Sequence, residues 1–331
     1  MEKISYSTLL EKLSDPDVDM DELDPFLTYK VDKNTGLDIQ ILPNWNNIED
    51  GREESLLGQS TRGVSPINIL NSFYRKRRRK KFKRRLARAD DRKILLSEGD
   101  SWFQYPKFLK DTIDWLTEDF NIYSLGAAGD TLMNMLRKNE YWEHLQELDE
   151  AEIEVHAMLL SAGGNDIVGA NLRNMLIDYV PGAQAADLLH EETVSRKFQQ
   201  LENDYESIFE RLELTDKYKN LPVLFHGYNY ATPLPDQGSN IPPLDGWLGA
   251  PMRDRGITDL NIQKEIITIL MEEVNTRFEA LANRFPNAIF VDNRNLFPDE
   301  RWHDELHPHD EGFKLVAENF KSHLDALGIN A

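Results

Sequence analysis

From residue 93 to the end of the chain, short apolar runs alternate with longer segments of helical period. Ile94 to Leu96, Asn121 to Leu125, Ile153 to Leu160, Val223 to Phe225 and Ala288 to Val291 are short, largely apolar and bounded by turn residues, and so read as strands. Phe108 to Phe120 has apolar residues at 108, 109, 113, 115, 116 and 120, the spacing of a helix. Leu132 to Leu148, Ala185 to Leu214, Leu260 to Phe285 and Gly312 to Leu327 read the same way. Strands alternating with helices predict an α/β fold, a parallel sheet with helices on both faces. A loop rich in Pro and Gly, Ala231 to Gly256, follows the fourth strand and reads as an insertion: one wall of a site, a lid or an irregular structural element.

The first 70 residues follow no such alternation. Ser5 to Leu13 reads as a short helix and Asp15 to Asp24 as an acidic loop. Phe26 to Leu42 reads as a hairpin around the turn sequence Lys33-Asn34-Thr35-Gly36. Asn44 to Ser65 has no clear period. The organisation expected is a mixed N-terminal cap or accessory region (1–70), a basic helical or linker segment (71–92) and a main domain (93–331).

Charge adds one feature. The net charge is -20, but between Arg75 and Lys93 the chain carries 13 Lys or Arg against two Asp. Like charges this dense repel one another, so the segment calls for an acidic partner. The protein's own acidic surface, plain solvent and an anionic membrane surface all fit. Nucleic acid fits less well, because the run lacks interleaved aromatics and any known reading motif. The chain has no cysteine, which excludes disulfides, thiol catalysis and Cys-ligated zinc. Its beginning, Met-Glu-Lys-Ile-Ser-Tyr-Ser, lacks a basic-then-apolar leader, and no apolar run reaches the roughly 20 residues of a membrane span, so a cytoplasmic location is expected.

Chemistry concentrates in four segments: Gly99-Asp100-Ser101, Gly126 to Thr131, Gly163-Gly164-Asn165-Asp166, and Asp304-Glu305-Leu306-His307-Pro308. Three follow successive predicted strands, at the carboxyl edge where open α/β sheets hold their ligands. A serine hydroxyl becomes a nucleophile when a base takes its proton, and a histidine suits that task. A carboxylate fixes the histidine's tautomer. Asp304 and His307, three apart, supply that pair locally. A tetrahedral intermediate needs hydrogen-bond donors for its oxyanion, each worth about 3–4 kcal/mol. A glycine-loop N–H at Gly129 and the Asn165 amide are candidates.

Together, in this order, the four segments resemble those of the SGNH hydrolases, also called GDSL-type esterases and lipases. The resemblance spans roughly residues 93 to 327. It implies a three-layer, flavodoxin-like α/β/α fold with a central five-stranded parallel sheet in the order 2-1-3-4-5. It implies Ser101 as nucleophile, His307 as base and Asp304 as supporting acid. The oxyanion hole would comprise the Ser101 N–H, the Gly129 N–H and the Asn165 side chain. No metal or organic cofactor is implied. The second block departs from the family pattern, with Ser124 where asparagine is common, so Gly126 is the alternative to Gly129. Asp100 and Asp166 read as braces for their loops. Trp102, Tyr105, Trp247 and Trp302 are candidates for a pocket lining or for the core.

The expected activity is hydrolysis of a carboxylic ester, acyl or acetyl and small-molecule or lipid, through an acyl-enzyme. Two other readings stand beside it. His303 and His307 at i, i+4 have the spacing of a metal-dependent hydrolase, although Asp304 replaces the glutamate and Pro308 disfavours a helix there. An inactive binding module anchored by the basic segment is the other.

Overall fold

In the computed structural model, residues 3–15, 18, 20–31, 39–49, 66–105, 109–234 and 246–331 are described. Helices α1 (Tyr6–Ser14) and α2 (Met20–Leu23) precede an antiparallel pair, β1 (Leu27–Val31) and β2 (Ile39–Pro43), in which Tyr29 lies opposite Ile41. These are the strands of the expected hairpin; its turn sequence lies outside the described residues, as does most of Asn44 to Ser65. Leu9, Leu23, Phe26, Leu27 and Ile48 form a small core of their own.

The long helix α3 (Pro66–Ala87) carries the basic run and leads into β3 (Ile94–Gly99). Then come α4 (Thr112–Leu116), β4 (Asn121–Ser124), α5 (Leu132–Lys138), α6 (Glu140–Glu150) and β5 (Ala157–Ser161). Next are α7 (Gly164–Ile167), α8 (Ala170–Met175), α9 (Glu191–Glu213) and β6 (Val223–His226). The chain ends with α10 (Gly249–Arg253), α11 (Leu260–Ala282), β7 (Ala288–Val291) and α12 (Asp310–Ala326).

The five later strands form one parallel sheet in the order β4-β3-β5-β6-β7. Taken in chain order this is 2-1-3-4-5, the flavodoxin-like order that the resemblance implies. Adjacent residues on a strand point to opposite faces, and β6 shows the layers. Phe225 packs on Tyr205 and Phe209 of α9 and on Phe278 of α11. His226, on the other face, meets Phe320 of α12. Helices therefore cover both faces, and the strands are buried almost throughout.

The basic segment is part of this architecture. α3 lies along β4, with Phe82 buried in the main core and set edge-on to Tyr123 at 5.1 Å between ring centroids. Arg85 donates to the Phe120 carbonyl (2.9 Å), and Arg84 pairs with Asp15 of the N-terminal region (2.8 Å). Lys76, Lys80 and Lys83 are exposed. Their i, i+4, i+7 spacing puts them on one stripe of the helix. Six arginines, Arg75, Arg77, Arg78, Arg79, Arg84 and Arg85, whose planar forks match carbonyls and carboxylates, are buried or half-buried, while these three lysines face outward.

Several boundaries differ from the periodicity. The single helix expected over 132–148 is two, because Asn139 adopts a left-handed conformation (φ 59°) between α5 and α6. Asparagine tolerates this region better than most residues. The helix expected from 108 shrinks to five residues, begun by a capping box between Asp111 and Asp114. The helix expected from 185 begins only after His190, which caps α9. β5 starts at Ala157, four residues after Ile153 where the expected strand began, and Glu152 just before that run turns left-handed. Among the described residues, no helix is long and apolar enough to cross a membrane.

His226 is fully buried, with Nδ1 2.8 Å from the Gly227 carbonyl oxygen and Nε2 2.8 Å from Ser161 Oγ. Burial pushes its pKa down to about 4, against the opposing effect of that carbonyl. The fold therefore prefers the neutral ring. Its contribution is complete above the ordinary value of 6.5 and is lost as pH falls through about 4. The shift corresponds to roughly 3 kcal/mol. Wild type is expected to lose more unfolding free energy between pH 7.5 and pH 4.5 than His226→Gln, measured by urea denaturation. Equal losses would contradict the assignment.

Candidate active site

β3 delivers its last residues to the carboxyl edge of the sheet, where the chain must turn at once. Gly99 permits this, because a Cβ there would lie 2.8 Å from the Phe103 ring and 2.9 Å from Ser161 Cβ. Asp100 follows, buried, and its carboxylate accepts three hydrogen bonds: from the Trp102 N–H (3.0 Å), the Ser161 hydroxyl (2.6 Å) and the Tyr228 hydroxyl (2.9 Å). Burial still raises its pKa. These bonds join the ends of β3, β5 and β6 and fix the turn that presents Ser101.

Ser101 Oγ lies 2.6 Å from His307 Nε2. His307 Nδ1 lies 2.9 and 3.0 Å from the two oxygens of Asp304. A carboxylate can only accept there, so Nδ1 carries the proton and Nε2 is left to accept from the serine. Asp304 also accepts from the N–H groups of Leu306 and His307 (both 2.9 Å) and from the Tyr105 hydroxyl (3.2 Å). Burial pushes the Asp304 carboxyl up, but His307 and these N–H donors outweigh it and hold the pKa at about 2. Asp304 is therefore a carboxylate at neutral pH. The loop is braced by the Trp102 indole N–H on the Leu306 carbonyl (3.0 Å), and the Tyr105 ring lies edge-on to His307 at 4.8 Å.

The two remaining segments stand beside this group. Asn165 Nδ2 donates to the Asp130 carbonyl (2.8 Å), which ties the asparagine to the loop carrying Gly129. One N–H of that amide is thus engaged and its second remains. Gly129 is exposed in a turn with φ 79° and does not line the pocket that holds Ser101, Asn165 and His307. Gly126, its alternative, is buried, and its carbonyl accepts from Arg75 Nε (2.9 Å). Asp166 accepts the Leu132 N–H (2.9 Å) at the start of α5, and burial raises its pKa to about 6. Both Asp100 and Asp166 thus hold backbone in place.

The pocket has a volume of about 560 Å³, its open mouth included. Ile167, Val168 and Leu172 form one side and Ile267, Leu270 and Met271 of α11 another. Trp102 and Trp302 line it as well; Trp247 stands at His307 (5.7 Å), and Tyr105 lies behind His307 rather than in the pocket. His303 and His307 do not share a helix face. They sit in a turn where the His303 N–H donates to the His307 carbonyl (2.8 Å), and both ring nitrogens of His307 are engaged by Ser101 and Asp304. The i, i+4 metal-binding arrangement is not formed.

Sequence reasoning missed the support given by α3. Asn71 donates to the Ala128 carbonyl (3.1 Å) and accepts the Ala128 N–H (3.0 Å), and the Gln104 amide donates to the same Asn71 oxygen (3.0 Å). Arg75 donates to the carbonyls of Leu125 and Gly126. Arg78 donates to the Phe103 carbonyl (2.5 Å) and pairs with Asp111 (2.6 Å), which accepts the Tyr105 N–H (3.0 Å). One helix thus holds both the serine loop and the Gly126–Thr131 loop. Tyr74, just before the basic run, and Phe82, the single aromatic within it, were the available signal. Asn71→Ala leaves both backbone groups of Ala128 buried without this partner and is expected to cost about 1–3 kcal/mol. Denaturant unfolding checks this; a loss below about 0.5 kcal/mol, the range of ordinary surface changes, would contradict the clamp.

No protein-family model matches the sequence, and no curated protein sequence matches it. Solved structures do. A Streptococcus pneumonia protein, provisionally named a platelet activating factor, is 15% identical with a TM-score of 0.45, over 76% of this chain and 92% of its own. A Bacteroides ovatus protein, provisionally named a GDSL-like lipase, is 16% identical with a TM-score of 0.40, over 72% of this chain and 54% of its own. A Slackia heliotrinireducens protein, provisionally named an SGNH hydrolase, is 14% identical with a TM-score of 0.37, over 69% of this chain and 97% of its own.

Proposed function

We propose that the protein is a serine esterase that cleaves carboxylic esters with an apolar acyl group through an acyl-enzyme. The observation that carries this reading is the continuous hydrogen-bonded line from Ser101 through His307 to Asp304, opening on an apolar pocket. Ser101 Oγ attacks the ester carbonyl as its proton passes to His307 Nε2. Asp304 stabilises the imidazolium so formed and keeps the ring in register. The tetrahedral oxyanion takes donors from the Ser101 N–H and the second N–H of Asn165. Its collapse breaks the ester C–O bond, and His307 returns the proton to the leaving alkoxide. Water then attacks the acyl-enzyme by the same route, regenerating Ser101 and releasing the acid. The side chains suffice for every proton transfer, and the step uses no cofactor.

The pocket supports an acyl chain rather than a sugar, since aliphatic side chains and tryptophans outnumber its polar groups. On p-nitrophenyl esters, Ser101→Ala is expected to lower kcat by at least about 10³-fold, with the fold intact by circular dichroism. Wild type is expected to prefer butyrate or hexanoate over acetate and to be indifferent to chelator. Full activity of Ser101→Ala, or loss of activity on chelation, would overturn the reading.

A further inference from the structure

Between Asp304 and His307 lies Glu305, for which the mechanism above has no use. It is a glutamate only 2% exposed. Its carboxylate accepts four backbone N–H groups: Leu234 (3.0 Å) and Gly249 (2.9 Å) on Oε1, Trp247 (2.6 Å) and Leu248 (2.9 Å) on Oε2. Charge-assisted bonds of this kind are about twice as strong as neutral ones, and four of them occupy the acceptor sites a carboxylate offers. The surrounding backbone is shaped to reach it. Gly246 has φ 94°, and a Cβ there would sit 2.6 Å from Glu305 Oε2.

The amides held this way belong to the two described arms of the insertion that follows β6. Those arms carry pocket residues. Leu248 and Ala231 line the cavity beside Ser101, and Trp247 is edge-on to His307 at 5.7 Å. The Trp247 carbonyl accepts the Gly169 N–H (2.9 Å), joining the same arm to the opposite wall next to Val168. One short turn therefore carries Asp304 and His307 and also, through Glu305, anchors the wall facing them.

We propose that Glu305 is a specificity-determining positioning residue: it pins the arm that carries Trp247 and Leu248, so that Leu248 stands as part of the wall against which the acyl chain packs, and its loss changes which ester is preferred. This rests on the esterase reading and deepens it. Glutamine in its place keeps the shape but presents an NH₂ group to N–H donors, so some of the four bonds must break.

The experiment compares wild type with Glu305→Gln. Amide hydrogen exchange, followed without substrate, is expected to quicken at Leu234 and at Trp247 to Gly249 while the β3 and β5 amides stay protected. The ratio of kcat/KM for p-nitrophenyl hexanoate over acetate is expected to fall by roughly tenfold or more, through a higher KM for hexanoate. Should Glu305→Gln fail to fold, Leu248→Ala, which removes the wall side chain directly, is expected to lower the same ratio. Unchanged exchange at those amides, or a hexanoate-to-acetate ratio within about twofold of wild type, would overturn the proposal. The exchange arm needs no turnover, so it separates failure of the anchor from failure of the esterase reading, which Ser101→Ala tests.

Discussion

A buried carboxylate at the end of the central strand cannot be left unsatisfied, and the geometry around Ser101 follows from how Asp100 is satisfied. Its partners come from the neighbouring strand end (Ser161), from the segment beyond the next strand (Tyr228) and from its own loop (the Trp102 N–H). Its backbone carbonyl accepts the Phe103 and Gln104 N–H groups, completing a tight turn. Ser161 in turn touches His226, which rests on the Gly227 carbonyl. The polar groups at the carboxyl edge thus form one network, and a shift in any of them disturbs the serine beside it.

Around this edge the chain uses backbone capture repeatedly. Arg75, Arg78 and Asn71 of α3 take up backbone groups of the two loops before and after β4. Asp166 takes an N–H at the start of α5, and Asp304 and Glu305 take six between them. Loops held in this way keep their side chains close to one geometry, which is what electrostatic preorganisation requires. The same logic gives the basic run an internal use. Arg75 and Arg78 are committed to the site's scaffold, and Lys76, Lys80 and Lys83 carry outward charge.

Much of this was legible from the amino acids. The five core strands follow from apolar runs ending in glycine, asparagine or aspartate, and their order matches the one the resemblance implies. Ser101, Asp304 and His307 were named from residue type, spacing and the family resemblance, and their side chains meet in the structure. What stayed hidden has a physical pattern. The backbone groups that Asn71, Arg75 and Glu305 hold lie 50 to 71 residues away and carry no residue-type signature. The charge of the basic run masked Tyr74 and Phe82, the two buried aromatics that dock it. The helix break at Asn139 depends on one residue's tolerance of a left-handed backbone, which apolar periodicity does not register.

The central claim is that Ser101 is nucleophilic because His307 takes its proton. The most direct measurement is mass spectrometry of the protein after reaction with a fluorophosphonate. The account predicts a single phosphonyl adduct on the peptide containing Ser101, formed rapidly in the wild type and at a far lower rate in His307→Ala. An adduct absent from that peptide, or formed there equally fast without the imidazole, would contradict it.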